Sequence, residues 1–157
     1  MINKSMINDV NGKKLRDHFV ICGYGHMGRA VVDQLRRSGM PFVVIESNDE
    51  LYRELLKDRV PVIHGDAKAR DVLLSAGIER ARGVCIVIDN DIDNLSITIS
   101  ARSLNTKLKI ITRAGQRHYA DSLRKSGADE VIIPEYLGGL AVGRMIRKYY
   151  PVHAILA

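Results

Sequence analysis

An α/β fold, with a parallel sheet of six strands covered by helices on both faces, is what this sequence predicts, and three observations carry it. Short β-branched runs alternate with amphipathic stretches from about residue 18 to residue 150. One of these runs, Val84 to Ile88, is apolar throughout, as expected of a central strand buried on both faces. The first run leads straight into Gly23-Tyr-Gly25-His-Met-Gly28, a glycine-rich turn that opens a helix.

The first strand is His18 to Cys22. Its helix runs from His26 to Ser38, with Met27, Ala30, Val31 and Leu35 at helical spacing, Arg29, Asp33, Arg36 and Arg37 outward, and Gly39 placed as a C-cap. The second strand is Phe42 to Ile45 and ends at Glu46. Asn48 or Asp49 can cap the next helix, which carries Leu51, Leu55 and Leu56. The third strand, Val60 to Ile63, precedes His64-Gly65-Asp66 and a short helix, Arg70 to Ala76, that buries Val72 and Leu73 and stops at Gly77. After the fourth strand, Val84 to Ile88, comes the polar run Asp89 to Asn94 and a helix to Leu104. The fifth strand is Lys109 to Thr112, with a helix from Arg117 to Ser126. The sixth, Val131 to Ile133, is stopped by Pro134. A last helix, Leu140 to Tyr150, carries Leu140, Met145 and Ile146, which pack either on the chain's own sheet or on a neighbour. Six strands in this order match the Rossmann-type doubly wound sheet. The domain spans residues 17–150, between a flexible arm or linker at 1–16 and a tail at 151–157.

At 157 residues there is room for one domain with a proper core. No apolar stretch reaches the ~18 to 20 residues that span a bilayer, and the polar opening has no signal-peptide core, so a soluble cytoplasmic chain is expected. The net charge of +6 is spread over several segments, aromatics make up 5% and Trp is absent. That pattern argues against nucleic acid and for a basic surface suited to phosphate ligands or a nearby anionic membrane. Cys22 and Cys85 fall on strands that should be neighbours; they are read as core rather than as a redox pair.

The glycine motif follows a strand, opens a helix, and is followed by Glu46 at the end of the next strand, which is the setting of a dinucleotide fingerprint. Gly23 permits the turn, Gly25 lets backbone approach a pyrophosphate, and Gly28 lets the helix pack closely. The helix N-terminus presents free N–H groups to phosphate. Glu46 can accept hydrogen bonds from both ribose hydroxyls. A 2′-phosphate would meet like charge there, and Ser47 and Asn48 supply no compensating Arg, so NAD(H) or an adenine nucleotide is expected over NADP(H). Asp66 either borders the adenine or caps the following helix, and Asp89 ends the fourth strand near the switch point. Asp89, Asp91 and Asp93 superficially suggest a calcium loop, but Asn94 and Ser100 stand where an EF-hand needs Gly and Glu, so helix capping explains them better. No paired metal-ligand motif or nucleophile elbow occurs. His26 lies in the phosphate loop, His64 follows a strand and His118 sits on a solvent-facing turn; nothing the size of a substrate domain remains, so catalysis is not expected.

The succession GYGHMG, Glu46, VIHGDA (62–67), AGIERARGVCIVIDND (76–91), NTKLKIITRA and SGADEVIIPE resembles the RCK N-terminal family, also called KTN or TrkA-N domains, from Asp17 to Tyr150. The resemblance implies a cytosolic regulatory domain at the inner face of the membrane. Such domains gate a potassium channel or potassium transporter, or serve some cation–proton antiporters, by binding NAD(H) or AMP, ADP or ATP. It implies a homodimer within a tetrameric or octameric gating ring on a membrane-embedded subunit. Carried over, Gly23, Gly25 and Gly28 hold the phosphates, Glu46 the ribose, and Asp66 and Ala67 the adenine. Asp89 lies at the pocket mouth, and Arg113 reaches the phosphate side. Tyr24, His26, Met27, Ser47, Gly65 and Asn90 complete the implied cofactor-binding set. His26 stands where ATP-responsive relatives place Arg, which counts against a triphosphate. Arg113 and Gly115 stand where calcium-gated relatives place acids, which counts against calcium gating. The family's C-terminal ligand-binding subdomain and membrane helices are not in the sequence, so the chain is read as a piece of a larger channel or transporter, or as acting on a separate membrane subunit. The alternatives are a small NAD-dependent oxidoreductase and a redox-sensing transcription regulator; the latter needs a DNA-binding module that Met1 to Asp17 is too short to form.

Overall fold

The short β-branched runs form six strands, and all of them run parallel. They are β1 (Phe19–Cys22), β2 (Phe42–Glu46), β3 (Val62–His64), β4 (Gly83–Ile86), β5 (Lys109–Arg113) and β6 (Glu130–Ile132), in the order β3-β2-β1-β4-β5-β6. The computed structural model describes residues 14–150. Between the strands lie α1 (His26–Arg37), α2 (Asp49–Lys57), α3 (Arg70–Ser75), α4 (Asp91–Leu104) and α5 (Arg117–Lys125), and after β6 comes α6 (Pro134–Tyr149). A 3-10 turn at Ile78–Arg80, unforeseen in the sequence, links α3 to β4. The chain runs outward from β1 to β3 and then returns to β4, so connections leave the sheet in opposite senses at the β1–β4 junction. That junction, at the carboxyl ends of the strands, is where such sheets leave a crevice.

Two cores flank the sheet. Val20, Cys22, Val43, Ile45, Val84 and Ile86 face Leu73 of α3, Ile97 of α4 and Leu123 of α5. Ile21, Val44 and Cys85 face Val32 of α1 and Leu55 of α2. The buried stripe of α1 therefore includes Val32, while Ala30 and also Leu56 of α2 are exposed, against expectation. The alternation settles the cysteines. Cys22 pairs in register with Ile86, and Cys85 with Ile21, so the thiols project to opposite faces of the sheet and do not form a redox pair. Burial pushes both thiols up, Cys85 to about 11 and Cys22 further still, leaving two inert core residues.

Of the boundaries that differ from the sequence expectation, three have a clear local reason. α4 starts at Asp91 rather than after Asn94, because the Asn90 side chain accepts from the Asp93 N–H at 3.0 Å. α6 starts at Pro134 rather than Leu140. Proline has no N–H to leave orphaned in a first turn, so the residue that stops β6 also begins the helix, through Gly138 and Gly139. β3 begins at Val62, since the Val60 N–H is already taken by the Leu55 carbonyl at the end of α2. Leu15, placed by the sequence reading in the arm, is buried in the first core, and the Asp17 N–H donates to the Arg80 carbonyl at 2.9 Å. Residues 1–13 of the expected arm and the expected tail lie outside the described residues. No helix among those residues is long and apolar enough to cross a membrane.

His18, just before β1, is fully buried. Its Nε2 donates to the Ala76 carbonyl at 2.7 Å, which fixes the tautomer, and Nδ1 has no partner. Burial, reinforced by Arg80, holds its pKa below the ordinary 6.5. The neutral ring is thus the folded form, and the unfolded chain binds the extra proton first. Stability should be full above pH 6.5 and decline as pH falls below it, until the depressed folded pKa is passed. Urea unfolding at pH 7.5 and pH 5.5 checks this; in His18→Gln, which keeps a donor for Ala76, the His18 share of the decline should vanish.

Candidate nucleotide-binding cleft

The β1–α1 turn is built by two glycines that no other residue replaces. Gly23 has φ +101°, in the left-handed region, and its N–H donates to the Ile45 carbonyl at 3.0 Å. A Cβ on Gly28 would lie 2.1 Å from the Gly23 carbonyl oxygen, so only glycine lets α1 close onto the turn that precedes it. Gly25 is different: a Cβ there meets nothing within 4 Å, because the residue opens onto solvent-filled space in front of the first turn of α1. No acidic residue occupies that turn, so its free N–H groups stay available to an anion.

That space is a cleft of about 500 Å³ over the carboxyl ends of β1, β2 and β4, within the usual range of ~300–1,000 Å³ for ligand pockets. Of the residues singled out in the sequence, Gly23, Tyr24, Gly25, His26, Met27, Glu46, Ser47, Gly65, Asp66, Ala67, Asp89 and Arg113 line it together. Gly28 and Asn90 do not; the first acts through packing and the second as the cap of α4. Glu46 is 8% exposed rather than an ordinary surface carboxylate. Its Oε2 accepts from the Tyr24 N–H and its Oε1 from the Asn48 N–H, each at 2.8 Å, so it pins the glycine turn to the loop after β2. Each oxygen keeps a further lone pair. Tyr24 is held in turn by Arg29, whose guanidinium lies 4.7 Å over the ring and forms a two-pronged pair with Glu54.

The helix capping expected of the acids does not occur. Asp66 does not cap α3, whose N-cap is Ala69; instead Asp66 Oδ1 accepts from the Lys68 N–H at 2.9 Å while facing the cleft. Asp89 pairs with Arg113 at 2.6 Å. Asp91 accepts from the Gly115 and Gln116 N–H groups at 2.6 and 3.2 Å, joining α4 to the loop after β5. Asp93 holds the Lys68 ammonium at 3.0 Å, and this contact, with Asp66, keeps the Lys68 pKa above its ordinary value. Capping thus belongs to Asn90 alone among these residues, not to the acids. Among the described residues no group of three His, Cys, Asp or Glu is placed to hold a metal ion. His26 is the exposed first residue of α1; His64 is the last residue of β3, stacked on Tyr52; His118 lies in α5 rather than on a turn.

Ile45, Lys68, Val87, Ile88, Asp93, Pro134 and Glu135 also line the cleft and were missed. Val87 and Ile88 read as strand interior, yet β4 ends at Ile86; both border the crevice while packing on the two cores. Lys68, Asp93 and Glu135 belong to three separate loops and helix starts, with no shared spacing to flag them. The lining carries five carboxylates (Glu46, Asp66, Asp89, Asp93 and Glu135) against two fixed cations, Lys68 and Arg113.

Residues 19–134 match the TrkA-N domain family. Over 135 residues the chain is 38% identical to "Potassium channel protein 1" of Methanocaldococcus jannaschii, covering 85% of this chain but only 40% of that protein. The crystal structure of the TrkA-N domain of the inner membrane protein ybaL from Escherichia coli superposes with a TM-score of 0.78 at 26% identity, covering 87% of this chain and 98% of that one. The GsuK channel bound to NAD superposes with a TM-score of 0.70 at 26% identity, covering 76% of this chain and 22% of that one, and the same protein has a structure bound to ADP.

Proposed function

This chain belongs to the TrkA-N family, and from that premise we propose that it is the regulatory nucleotide-sensing domain of a potassium channel or potassium transporter. The observation that carries the reading is one juxtaposition. The free first turn of α1 and a doubly anchored Glu46 carboxylate face the same cleft, where a phosphate and a ribose of one ligand can be met together. The ligand is NAD(H) or an adenine nucleotide. GsuK, similar over most of this chain, binds NAD and ADP. With five carboxylates and two cations on its walls, the cleft favours ligands of low charge over a triphosphate.

The role is regulation without turnover, in preference to the oxidoreductase alternative, because the matching proteins include a potassium channel protein of Methanocaldococcus jannaschii and the GsuK channel bound to NAD. A membrane-embedded subunit is the partner, and the domain works at the cytoplasmic face. A homodimer within a gating ring is the assembled form. It is supported by α6, none of whose sixteen residues is buried, with Leu140, Met145 and Ile146 all exposed. The packing of that face on its own sheet, one of the two sequence readings, does not occur.

The test is thermal unfolding of the purified chain with NAD, NADH, NADP, AMP, ADP and ATP, with light scattering on the same samples. A ligand at 100 times its Kd adds about 2.7 kcal/mol, a Tm rise of roughly 5 to 10 °C. NAD(H), AMP and ADP should shift Tm, NADP and ATP less, and the mass should be that of a dimer or a multiple of it. If no nucleotide moves Tm the sensing role fails, and a monomer at all concentrations sinks the ring.

A further inference from the structure

Arg113 ends β5, and its side chain, only 14% exposed, forms part of the cleft wall. Nη1 donates to Asp89 Oδ1 at 2.6 Å, and Nη2 stands 3.5 Å from Glu135 Oε1. The backbone beneath it is fixed. The Arg113 and Ile88 carbonyls both accept from Nδ2 of buried Asn94, at 3.0 and 2.8 Å, which ties together the ends of the neighbouring strands β4 and β5 on one wall of the cleft. The two carboxylates that Arg113 holds differ in what they belong to. Asp89 follows a central strand, whereas Glu135 is the second residue of α6, a helix with no buried residue.

Lys68, the other fixed cation of the cleft, is already engaged by Asp93 and Asp66. Arg113 is engaged too, by Asp89 and Glu135, but its planar fork suits an anionic group entering between the walls better than the Lys68 point charge does, and the weaker hold on it is the longer contact, to a Glu135 that is 66% exposed. A guanidinium prefers paired, coplanar oxygens, which phosphate offers in better geometry than a carboxylate at 3.5 Å. We propose that Arg113 is a shared cation, held by Glu135 and claimed by a phosphate group of the nucleotide, so that filling the cleft frees the first turn of α6. Glu135 then sets both the affinity of the cleft and its coupling to the helix that carries the exposed apolar face. This rests on the reading of the cleft as a nucleotide site.

ADP and NAD are titrated by calorimetry into the full chain and into Glu135→Gln, and amide hydrogen exchange is followed along 136–145 with and without saturating ADP. Glu135→Gln should bind ADP about 2- to 5-fold tighter, because a competitor of the phosphate has gone. Losing any negative charge near the cleft would also tighten binding, so exchange is the deciding readout. In the unsubstituted protein ADP should speed exchange in the first turns of α6; in Glu135→Gln exchange should already be fast and ADP should add nothing. ADP binding that leaves α6 unchanged, or weaker binding by Glu135→Gln, overturns the exchange of partners alone. Failure of both nucleotides to bind the unsubstituted protein overturns the nucleotide site, and the exchange with it.

Discussion

Gly28→Ala is expected to lose about 3–5 kcal/mol of stability, to unfold at a Tm lower by roughly 10 °C or more, and to bind no nucleotide. The added methyl would sit 2.1 Å from the Gly23 carbonyl oxygen, a backbone atom with no rotamer in which to retreat. Relief requires lifting α1 off the turn, and the helix cannot lift without pulling Val32 from the core shared with Ile21 and Val44. Gly25→Ala separates this effect from function. Its methyl meets nothing within 4 Å and its φ of −75° is ordinary for any residue, so the fold should keep its Tm to within a few degrees. The same methyl projects where the proposed site would take a phosphate, at the first turn of α1, and affinity for ADP and NAD should fall at least about tenfold. Calorimetry and thermal unfolding on the two variants check both halves. A Gly25→Ala protein that binds as the unsubstituted chain does would mean the ligand is not held by this turn.

Why the glycine turn was legible while the opposite wall was not follows from how each is encoded. Gly23, Gly25, Gly28 and Glu46 are tied to one β1–α1–β2 unit, where local geometry demands particular residues at fixed offsets. Likewise Val84 to Ile86 announce a central strand by lacking any polar residue, and Asn48 caps α2 with two N–H contacts at 3.0 Å, as a residue of its type ahead of a leucine run suggests. Lys68, Asp93 and Glu135 meet only because β3, β4 and β6 end on the same rim of the sheet; their positions depend on topology, and any surface charge would look the same in the sequence. The start of α6 was hidden for another reason. Pro134 and the pair Gly138–Gly139 are poor helix formers in an interior, yet the first turn tolerates proline, and α6 runs unbroken through both glycines. The separation of Cys22 from Cys85 needed the register, Cys22 opposite Ile86, which no single-strand pattern contains.

Glu46 anchors the glycine turn and is proposed to hold the ribose, so stability, affinity and selectivity should all depend on it, and two substitutions take them apart. Glu46→Ala leaves the Tyr24 and Asn48 N–H groups without the acceptors they now hold at 2.8 Å. Hydrogen bonds to a charged acceptor are worth ~1.5–3 kcal/mol each and are not additive, so a loss of about 2–4 kcal/mol and a Tm fall of roughly 5 to 15 °C are expected. NAD affinity should drop more than about tenfold, since both the ribose acceptor and the anchor of the glycine turn have gone. Glu46→Gln keeps the shape and one carbonyl acceptor but places an NH₂ against one of the two N–H groups, so its loss of stability should be about half as large. Its effect on selectivity is the sharper measurement. The carboxylate disfavours a 2′-phosphate by charge, and a neutral amide removes that repulsion while still accepting from a hydroxyl. The NAD-to-NADP affinity ratio should therefore collapse towards one in Glu46→Gln, chiefly through tighter NADP binding. An unchanged ratio would show that the walls of the cleft, rather than the charge on Glu46, exclude the 2′-phosphate.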